Sequence, residues 1–490
     1  MNKTFKRKIA TRLQNPSRVG FLSLTVPVLH RGLLLGLVLL GVFSVGYKPD
    51  LDLGSLVHLN GFTLLIGITV ALLGAIISQY AKNYLNGFEF QERFMGLTLG
   101  FTLSVLLLVA AESLAILVLA WMSMGFHMTR LIGIDSRWSE AKEAGRVSGR
   151  YFGGSSLLLT VAIGILALQT GSFTLSELLS NLDRIPKALQ LLSALLLIAS
   201  AVIQSALFPF HRWLLSSMTA PTPASGLMHA GFVNGAGVLL TLFAPLMLKT
   251  QTLPLLLILG GSTAIIAQFS KLIQVQAKHK LACSTIAQMG FMVMQCGLGF
   301  FNAAVAHLIL HGLYKAYLFL SVGEGMTQAH PSRTPHIHIS PIQGVVVGIY
   351  GVGGALLFSL LTGKGNSWDS GLFLSMIVAL TVGQLTYNVV KQKSLSTAQR
   401  LWLPPVVFSL AIGLYSLLYS GVTSLLSGMP GVLQPQPISI THVVFAMLFI
   451  IGFFVMKLGL YHKYPGIYVK LMNLTQPVPT TILAAKTNPK

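Results

Sequence analysis

Runs of about twenty apolar residues, each long enough to cross a bilayer as a helix, recur from one end of this 490-residue chain to the other. Fourteen stand out, near residues 24–46, 61–79, 95–111, 113–133, 151–169, 188–208, 222–247, 253–273, 281–299, 301–323, 343–362, 371–390, 403–425 and 440–460. In hydrocarbon every backbone N–H and C=O must be bonded within the protein, so such runs are forced into helices. Composition agrees: 53% of residues are hydrophobic and 9% are charged, against about 25% charged in soluble domains. The expected class is all-α, a polytopic transmembrane helical bundle of about 14 spans. The first run is the weakest, because His30 and Arg31 interrupt it. The tail from Tyr461 to Lys490, rich in Pro, Thr and Lys, reads as an extended cytoplasmic arm.

A net charge of +21 would suit nucleic acid, but the placement of the charges points to lipid. Lys3, Lys6, Arg7, Lys8, Arg12 and Arg18 precede the first span with no acid among them. Counting alternate connections from there, Arg130, Arg137, Lys142, Arg146 and Arg150 fall on the same side. So do Arg212, Lys271, Lys278, Lys280, Arg333, Lys391, Lys393, Arg400, Lys463 and Lys470. The opposite connections hold only Lys48, Arg184, Lys187, Lys249 and Lys364. Excess Lys and Arg mark the cytoplasmic side, so both termini are expected there, in the inner (plasma) membrane. A basic face also suits anionic headgroups; no nucleic-acid partner is expected.

Chemistry concentrates in two stretches. Between Leu281 and Gly323 an apolar sequence carries His307, His311 and Lys315 at steps of four. That spacing keeps them on one helix face, as a ladder about 12 Å long. Ionisable groups inside a membrane are costly and mark ion or proton paths. In the second stretch, Ala206–Leu240, Pro209, Pro221 and Pro223 break helices, and His229 and Asn234 follow within an apolar helix. Freed backbone groups are tolerated at membrane depth only where protein or a wet cavity meets them, and broken helices beside buried polar groups are a transporter arrangement.

None of the twelve acids lies in the middle of an apolar run; Glu112 sits between two spans and Glu324 at the end of one. A relay must therefore use His, Lys, hydroxyls, amides and water. Cys283 and Cys296 read as packing residues. His127 and Arg130 read as groups snorkelling near a helix end, and Lys278, His279 and Lys280 as orienting charges. His330, His336 and His338 lie among prolines without acid or thiol companions, so no metal site and no cofactor are expected.

The stretch APTPASGLMHA at 220–230 resembles the signature of proton-antiporter-like membrane subunits, the group that includes large subunits of respiratory complex I and Mrp-type sodium/proton antiporters. KHKLACSTIAQMGF at 278–291 and HLILHGLYKA at 307–316 are similar to the same group. PFHRWL at 209–214, HAGFVNGAG at 229–237, AQMGFMVMQCGLG at 287–299 and HGLYKAYLFLSVG at 311–323 resemble the DabB branch, membrane subunits of DAB-type inorganic carbon transporters. The resemblance covers roughly 60–325. It implies an antiporter-like fold with inverted repeats, and a proton-translocating core over 61–400. The flanking parts are a basic N-terminus with the first span at 1–60, C-terminal spans at 401–460 and the tail at 461–490. It also implies a zinc-bearing DabA-like partner subunit that carries the chemistry, so that this chain is a transport subunit and not an enzyme. The implied proton path comprises His307, His311, Lys315, His229, Gln204 and Asn234.

Two departures from the antiporter pattern matter. Complex I subunits carry a Trp-Glu pair where this chain has Trp121 followed by Met122, and a buried Lys where it has Gln204. The first half-channel thus lacks its charge pair, which favours a subunit letting ions through to drive a partner. A complex I-type or Mrp-type subunit and a non-conducting membrane anchor are the alternatives. The charge asymmetry makes one direct prediction. A reporter that works only in the cytoplasm is active when fused after Lys490, and a periplasmic phosphatase at the same place is silent. The two enzyme activities in intact cells check this.

Overall fold

The structure, a computed structural model, describes residues 20–43, 50–52, 54–321, 341–392, 394–457 and 464–483. The N-terminal basic cluster, Arg333, the His330–His336–His338 group, Glu324, Lys393 and Lys463 lie outside the described residues. Among those described, twelve helices or helix pairs are long and apolar enough to cross a membrane. In chain order the first are α1 (Phe21–Phe43), α2 (Gly61–Tyr84), α3 (Gln91–Ala110), α4 (Leu114–Ile132) and α5 (Ser139–Thr170). After the short α6 (Leu175–Ser180) come α7 (Lys187–Gln204), α8 (Arg212–Ser216), the pair α9 (Thr222–Ala230) and α10 (Gly235–Leu242), and the short α11 (Ala244–Lys249). Then follow α12 (Leu253–Ile273), α13 (Ala277–Gly297), α14 (Phe301–Ser321), α15 (Pro341–Thr362), α16 (Gly371–Val390), α17 (Thr397–Leu425) and α18 (Ile440–Lys457). The more polar α13 and the shorter α18 fall outside the twelve and match the two remaining apolar runs. The only strands among the described residues form a ribbon, Asp50–Asp52 against His58–Asn60.

Local chemistry sets several helix ends. Asn60 caps α2, its Oδ1 accepting from Thr63 N at 3.0 Å. Ser396 and Gln399 form a reciprocal capping box at the start of α17, which satisfies two end donors at once. Gly171 closes α5 at φ 69°, a left-handed conformation that a side chain disfavours.

Burial places the centre of the bundle. The broken span Thr222–Leu242 is 94% buried, whereas α1 is 17% buried at the periphery. The break itself differs from the sequence reading, which put His229 and Asn234 on one helix. Here α9 ends at Ala230, a 3-10 turn runs Phe232–Asn234, and α10 starts at Gly235. His229 therefore lies before a second break, beyond the one at Pro221 and Pro223, and Asn234 lies in the turn that makes it.

The tail is a second correction. Instead of an extended arm, it forms α19 (Pro465–Leu474) and α20 (Pro479–Leu483). Its backbone is held by the loops beside the broken helix. His211 Nε2 donates to Leu474 O at 2.6 Å, Gln274 Nε2 donates to Thr475 Oγ1 at 2.8 Å, and Val478 N donates to Ser216 Oγ at 2.9 Å. Burial holds the His211 imidazole below the usual histidine range, which keeps it neutral. A Pro-rich tail reads as extended from composition alone; these long-range hydrogen bonds decide otherwise.

Helices α12 and α13 meet through glycines. A Cβ on Gly260 would stand 2.4 Å from Met294 N, and one on Gly290 would stand 2.7 Å from Ala264 N. Small residues let membrane helices approach this closely. Gly260→Ala is expected to lower stability by about 1–3 kcal/mol, because backbone has to move. Gly154→Ala, which meets nothing within 4 Å, is expected to be neutral. Thermal unfolding of the detergent-extracted proteins checks the pair.

Candidate ion path

The two breaks around α9 set up the site, and side chains meet several of the backbone groups released there. Lys278 Nζ donates to Ala220 O at 3.1 Å and Met218 O at 3.4 Å, while Ser225 Oγ donates to Ala220 O at 3.3 Å. At the second break Asn234 Nδ2 donates to Ala230 O at 2.7 Å. Ser205 Oγ donates to Val233 O and accepts from Ala236 N. Lys278 thus has a structural task beyond its charge. Ser205, unremarkable in the sequence, ties the end of α7 to the break; the adjacent Ala206, at φ 55°, makes the turn that brings it there.

The ladder on α14 is buried at Lys315 and His311 and partly buried at His307. Lys315 is 0% exposed and His311 is 5% exposed. His307 and His311 stack with ring centroids 6.0 Å apart and planes 12° apart. Lys315 Nζ donates to Leu281 O at 3.1 Å and Ser284 Oγ at 3.0 Å, both on α13. Leu281 O also accepts from Thr285 Oγ1 at 3.1 Å, and Thr285 Oγ1 pairs with His229 Nδ1 at 3.0 Å. A hydroxyl has one hydrogen. Since that hydrogen goes to Leu281, His229 Nδ1 carries its own proton and donates. His229, lying flat on Phe319 at 4.3 Å, is thereby joined to Lys315 through Thr285 and the Leu281 carbonyl. The structure brings His229, His311, Lys315 and His307 into one region, and none of them forms an ion pair with an acid among the described residues.

Several buried polar atoms here have no partner among the described residues: His229 Nε2, both nitrogens of His311, His307 Nε2, Asn234 Oδ1 and both amide atoms of Gln204. Unsatisfied buried groups are rare and concentrate where water, ions or chemistry belong. His307 opens onto a cavity of about 410 Å³, lined also by Phe291, Gln295, Phe358, Phe408 and Tyr415.

Asn234 touches the ladder helix, its Nδ2 donating to Leu308 O at 3.4 Å; the remaining expected residues stand apart from it. Gln204 lies against Trp121 across Gly235, where a Cβ would be 3.1 Å from Gln204 Cγ and 3.3 Å from the indole. Trp121 Nε1 donates to Ser155 Oγ at 3.2 Å, which meets Ser200 Oγ at 3.0 Å. Met122 points outward, half exposed. This half of the interior is built from an amide, an indole and hydroxyls. Pro221 and Pro223 flank the start of α9, and Pro209 lies in the turn before α8. Glu112 is buried, accepting from Ser176 N at 2.9 Å. His127 is held by the Ser123 carbonyl at 2.7 Å. The sequence reading missed Ser284 and Thr285; their signal was a hydroxyl pair inside an apolar run, one turn beyond Leu281.

Residues 111–338 match the membrane-region family described as NADH:quinone oxidoreductase/Mrp antiporter. The "Probable inorganic carbon transporter subunit DabB" of Bacillus subtilis (strain 168) is 34% identical over 343 residues, covering 67% of this chain and 67% of that protein. The chain belongs to the DabB family. The DabB of Bacillus anthracis is 34% identical over 333 residues, 67% of this chain and 65% of the relative. The chain therefore spans about two thirds of the length of these curated DabB proteins. NADH-quinone oxidoreductase subunit L of Escherichia coli (strain K12) is 32% identical over 298 residues, 59% of this chain and 47% of that one. The fold is that of a chain in the Mrp complex from Dietzia sp. DQ12-45-1b, with a TM-score of 0.66 at 22% identity over 95% of this chain and 57% of the other. A chain of the archaeal membrane-bound sulfane sulfur reductase gives 0.57 at 17% identity over 94% and 93%. This multi-pass DabB-family chain thus has the antiporter-like fold that its motifs led us to expect.

The Thr285 bridge makes a prediction for the site itself. Thr285→Val keeps the shape but orphans the buried His229 N–H, and is expected to cost about 1–3 kcal/mol. Thr285→Ser keeps the bridge and recovers most of it. Thermal unfolding of the two extracted variants is the measurement.

Proposed function

We propose that this chain is the ion-translocating membrane subunit of an energy-coupled uptake system for inorganic carbon, and that the ion is a proton. The carrying observation is the line of His229, Thr285, Lys315, His311 and the partly buried His307, without an acid among the described residues to pair with it and with orphaned nitrogens along it. A positive charge on one of these groups disfavours a second on its neighbour, so a proton arriving at one site pushes another onward. Bonded to neutral acceptors alone, Lys315 is not held in one state by a counter-ion. Gln204 and Asn234 belong to the path as polar groups that order water, and Pro209, Pro221 and Pro223 as the breaks that admit it. The core over 61–400 carries this path. Both termini are cytoplasmic and the chain sits in the inner membrane.

The relatives named as inorganic carbon transporter subunits support carbon as the cargo of the assembly. The chemistry is assigned to a zinc-bearing DabA-like partner, where proton flow drives one-way conversion of CO2 to cytoplasmic bicarbonate. Similarity to subunit L supports a second reading, a respiratory or Mrp-type subunit. The neutral Gln204 and outward Met122 weigh against it, since they leave the first half without a charge pair.

Lys315→Met, co-expressed with the neighbouring zinc subunit, is expected to cut uncoupler-sensitive accumulation of labelled inorganic carbon about 10-fold or more. Membrane insertion and partner binding remain, because loss of an unpaired buried charge relieves an insertion cost. His311→Ala approaches that loss and His307→Ala falls short of it. Wild-type accumulation by Lys315→Met at matched protein level makes the ladder structural and sinks the proposed path.

A further inference from the structure

Helix α5 is 32 residues long, more than a bilayer needs. The stretch from Tyr151 to Thr170 already covers the roughly 30 Å of hydrocarbon. Arg150 therefore stands at the edge of that layer, and the turns before it stand outside. Lys142, Arg146 and Arg150 recur at steps of four on this end, and all three are exposed. The same line continues through the exposed Gly153 and Leu157. One face of α5 thus changes from basic to apolar where it enters lipid.

The neighbouring α4 carries a matching stripe. Leu119, Met122 and Phe126 are exposed, and so is Arg130, whose guanidinium lies over the Phe126 ring at 5.2 Å from its centroid. The two helices run in opposite directions and meet through small residues. A Cβ on Gly145 would stand 3.0 Å from Gly133 Cα, one on Gly149 would stand 3.1 Å from Thr129 Cγ2, and one on Gly125 would stand 3.2 Å from Phe152 Cβ. In an antiparallel pair of right-handed helices, the residue after each contact residue points to the same side of the pair. Arg130 follows Thr129 and Phe126 follows Gly125; Arg146, Arg150 and Gly153 follow Gly145, Gly149 and Phe152. Both stripes therefore share one outer face, with Arg130 and Arg150 within about 3 Å of each other in height. Between the stripes an added Cβ on Gly153 would meet nothing within 4 Å, so the groove is open to lipid.

Other cations nearby are answered by acids. Arg137, in the connection between the helices, pairs with Glu89 at 3.2 Å and with Asp135 at 3.6 Å, and Arg146 pairs with Glu143 at 3.2 Å. Arg130 and Arg150 form no ion pair among the described residues. Two guanidinium groups at one depth repel unless an anion lies between them, and their planar forks match phosphate oxygens. The anion found at the edge of hydrocarbon is a phospholipid headgroup, and basic sites at that depth attract anionic ones.

We propose that Arg130 and Arg150 hold the phosphate of one anionic phospholipid in the outer groove between α4 and α5, with its glycerol over Gly153 and an acyl chain along Phe126 and Leu157. Arg146, one turn further out, faces the headgroup. The continuous apolar stripe below the arginines favours lipid over an acidic surface of a partner subunit, which would have no use for it. The site is separate from the ion path, and its test reads lipid retention instead of transport.

The test is native mass spectrometry of the full detergent-extracted chain with its co-purifying subunits, titrated with phosphatidylglycerol, with phosphatidylcholine and with inorganic phosphate. The wild type is expected to retain one phosphatidylglycerol at about tenfold lower concentration than phosphatidylcholine. Arg130→Gln and Arg150→Gln are each expected to weaken that retention about fivefold, and the double variant about 30-fold. Arg137→Gln removes a cation already paired with acids and keeps wild-type retention. Gly153→Phe leaves both arginines but fills the groove, and weakens retention as well. The inference is overturned if the double variant retains phosphatidylglycerol like the wild type, if phosphatidylcholine is held equally well, or if Arg137→Gln loses as much as the double variant. It is overturned too if inorganic phosphate displaces the lipid at equal concentration, which makes this a site for a free anion. The same holds if the double variant keeps the lipid but sheds a co-purifying subunit, which makes it a protein contact. Should the double variant not be recovered folded, unchanged retention in Gly153→Phe and in both single variants overturns the inference in its place.

Discussion

A helix broken inside a bilayer releases carbonyls and amides that lipid cannot bond, and the interior of this chain is arranged around meeting them. Lys278 and Ser225 answer the break before α9; Asn234 and Ser205 answer the one after it. Lys278 reaches the first break from α13, Ser205 reaches the second from the end of α7, and Asn234 also donates to Leu308 O on α14 at 3.4 Å, so closing the breaks docks α7, α13 and α14 around α9 and α10. The same requirement explains why the broken span is the most enclosed one. Only a site walled by protein can offer that many partners. His229 and Asn234 are deep in the molecule because the break at which they lie has to be deep.

What collects around the break is a set of bases that no acid among the described residues neutralises. Lys315 donates to a carbonyl and a hydroxyl, His229 is bridged to it through Thr285, and His307 and His311 stack without a counter-ion. In a structural ion pair, removing either partner is costly because the other charge is stranded. Here there is no pair to hold a charge in one place, and charges on neighbouring sites oppose one another. That is a poor way to stabilise a fold and a suitable one for passing a cation along. The other half of the interior, with Trp121, Ser155, Ser200 and Gln204, repeats the burial without the charges. Its polarity can order water but cannot store a proton.

Much of this was legible in the residues. Apolar run length predicts the spans, since the thickness of hydrocarbon and the rise of a helix leave little freedom. The four-residue spacing of His307, His311 and Lys315 places them on one face for the same geometric reason, and the prolines announce a break. Less legible was where the break falls. Proline marks the start of α9, but the turn at Phe232–Asn234 contains no proline, and only the Ser205 and Asn234 bonds define it. The docked tail was read as extended because a short Pro-rich segment carries no local signal of what it will be packed against.

By itself, then, the sequence determined that this is a bundle of membrane helices with three ionisable residues aligned on one of them, because length, apolarity and helical period are local properties. It also showed, through its motifs, the family to which the chain belongs. The tertiary structure decided which of the scattered polar residues meet. Thr285 and the Leu281 carbonyl join His229 to Lys315, and Ser205 closes the break. Lys364, an ordinary loop cation to a reader of the sequence, turns inward between two glycines to face rings drawn from three separate segments. Such meetings depend on contacts between segments up to more than a hundred residues apart, and no local pattern of residues encodes them.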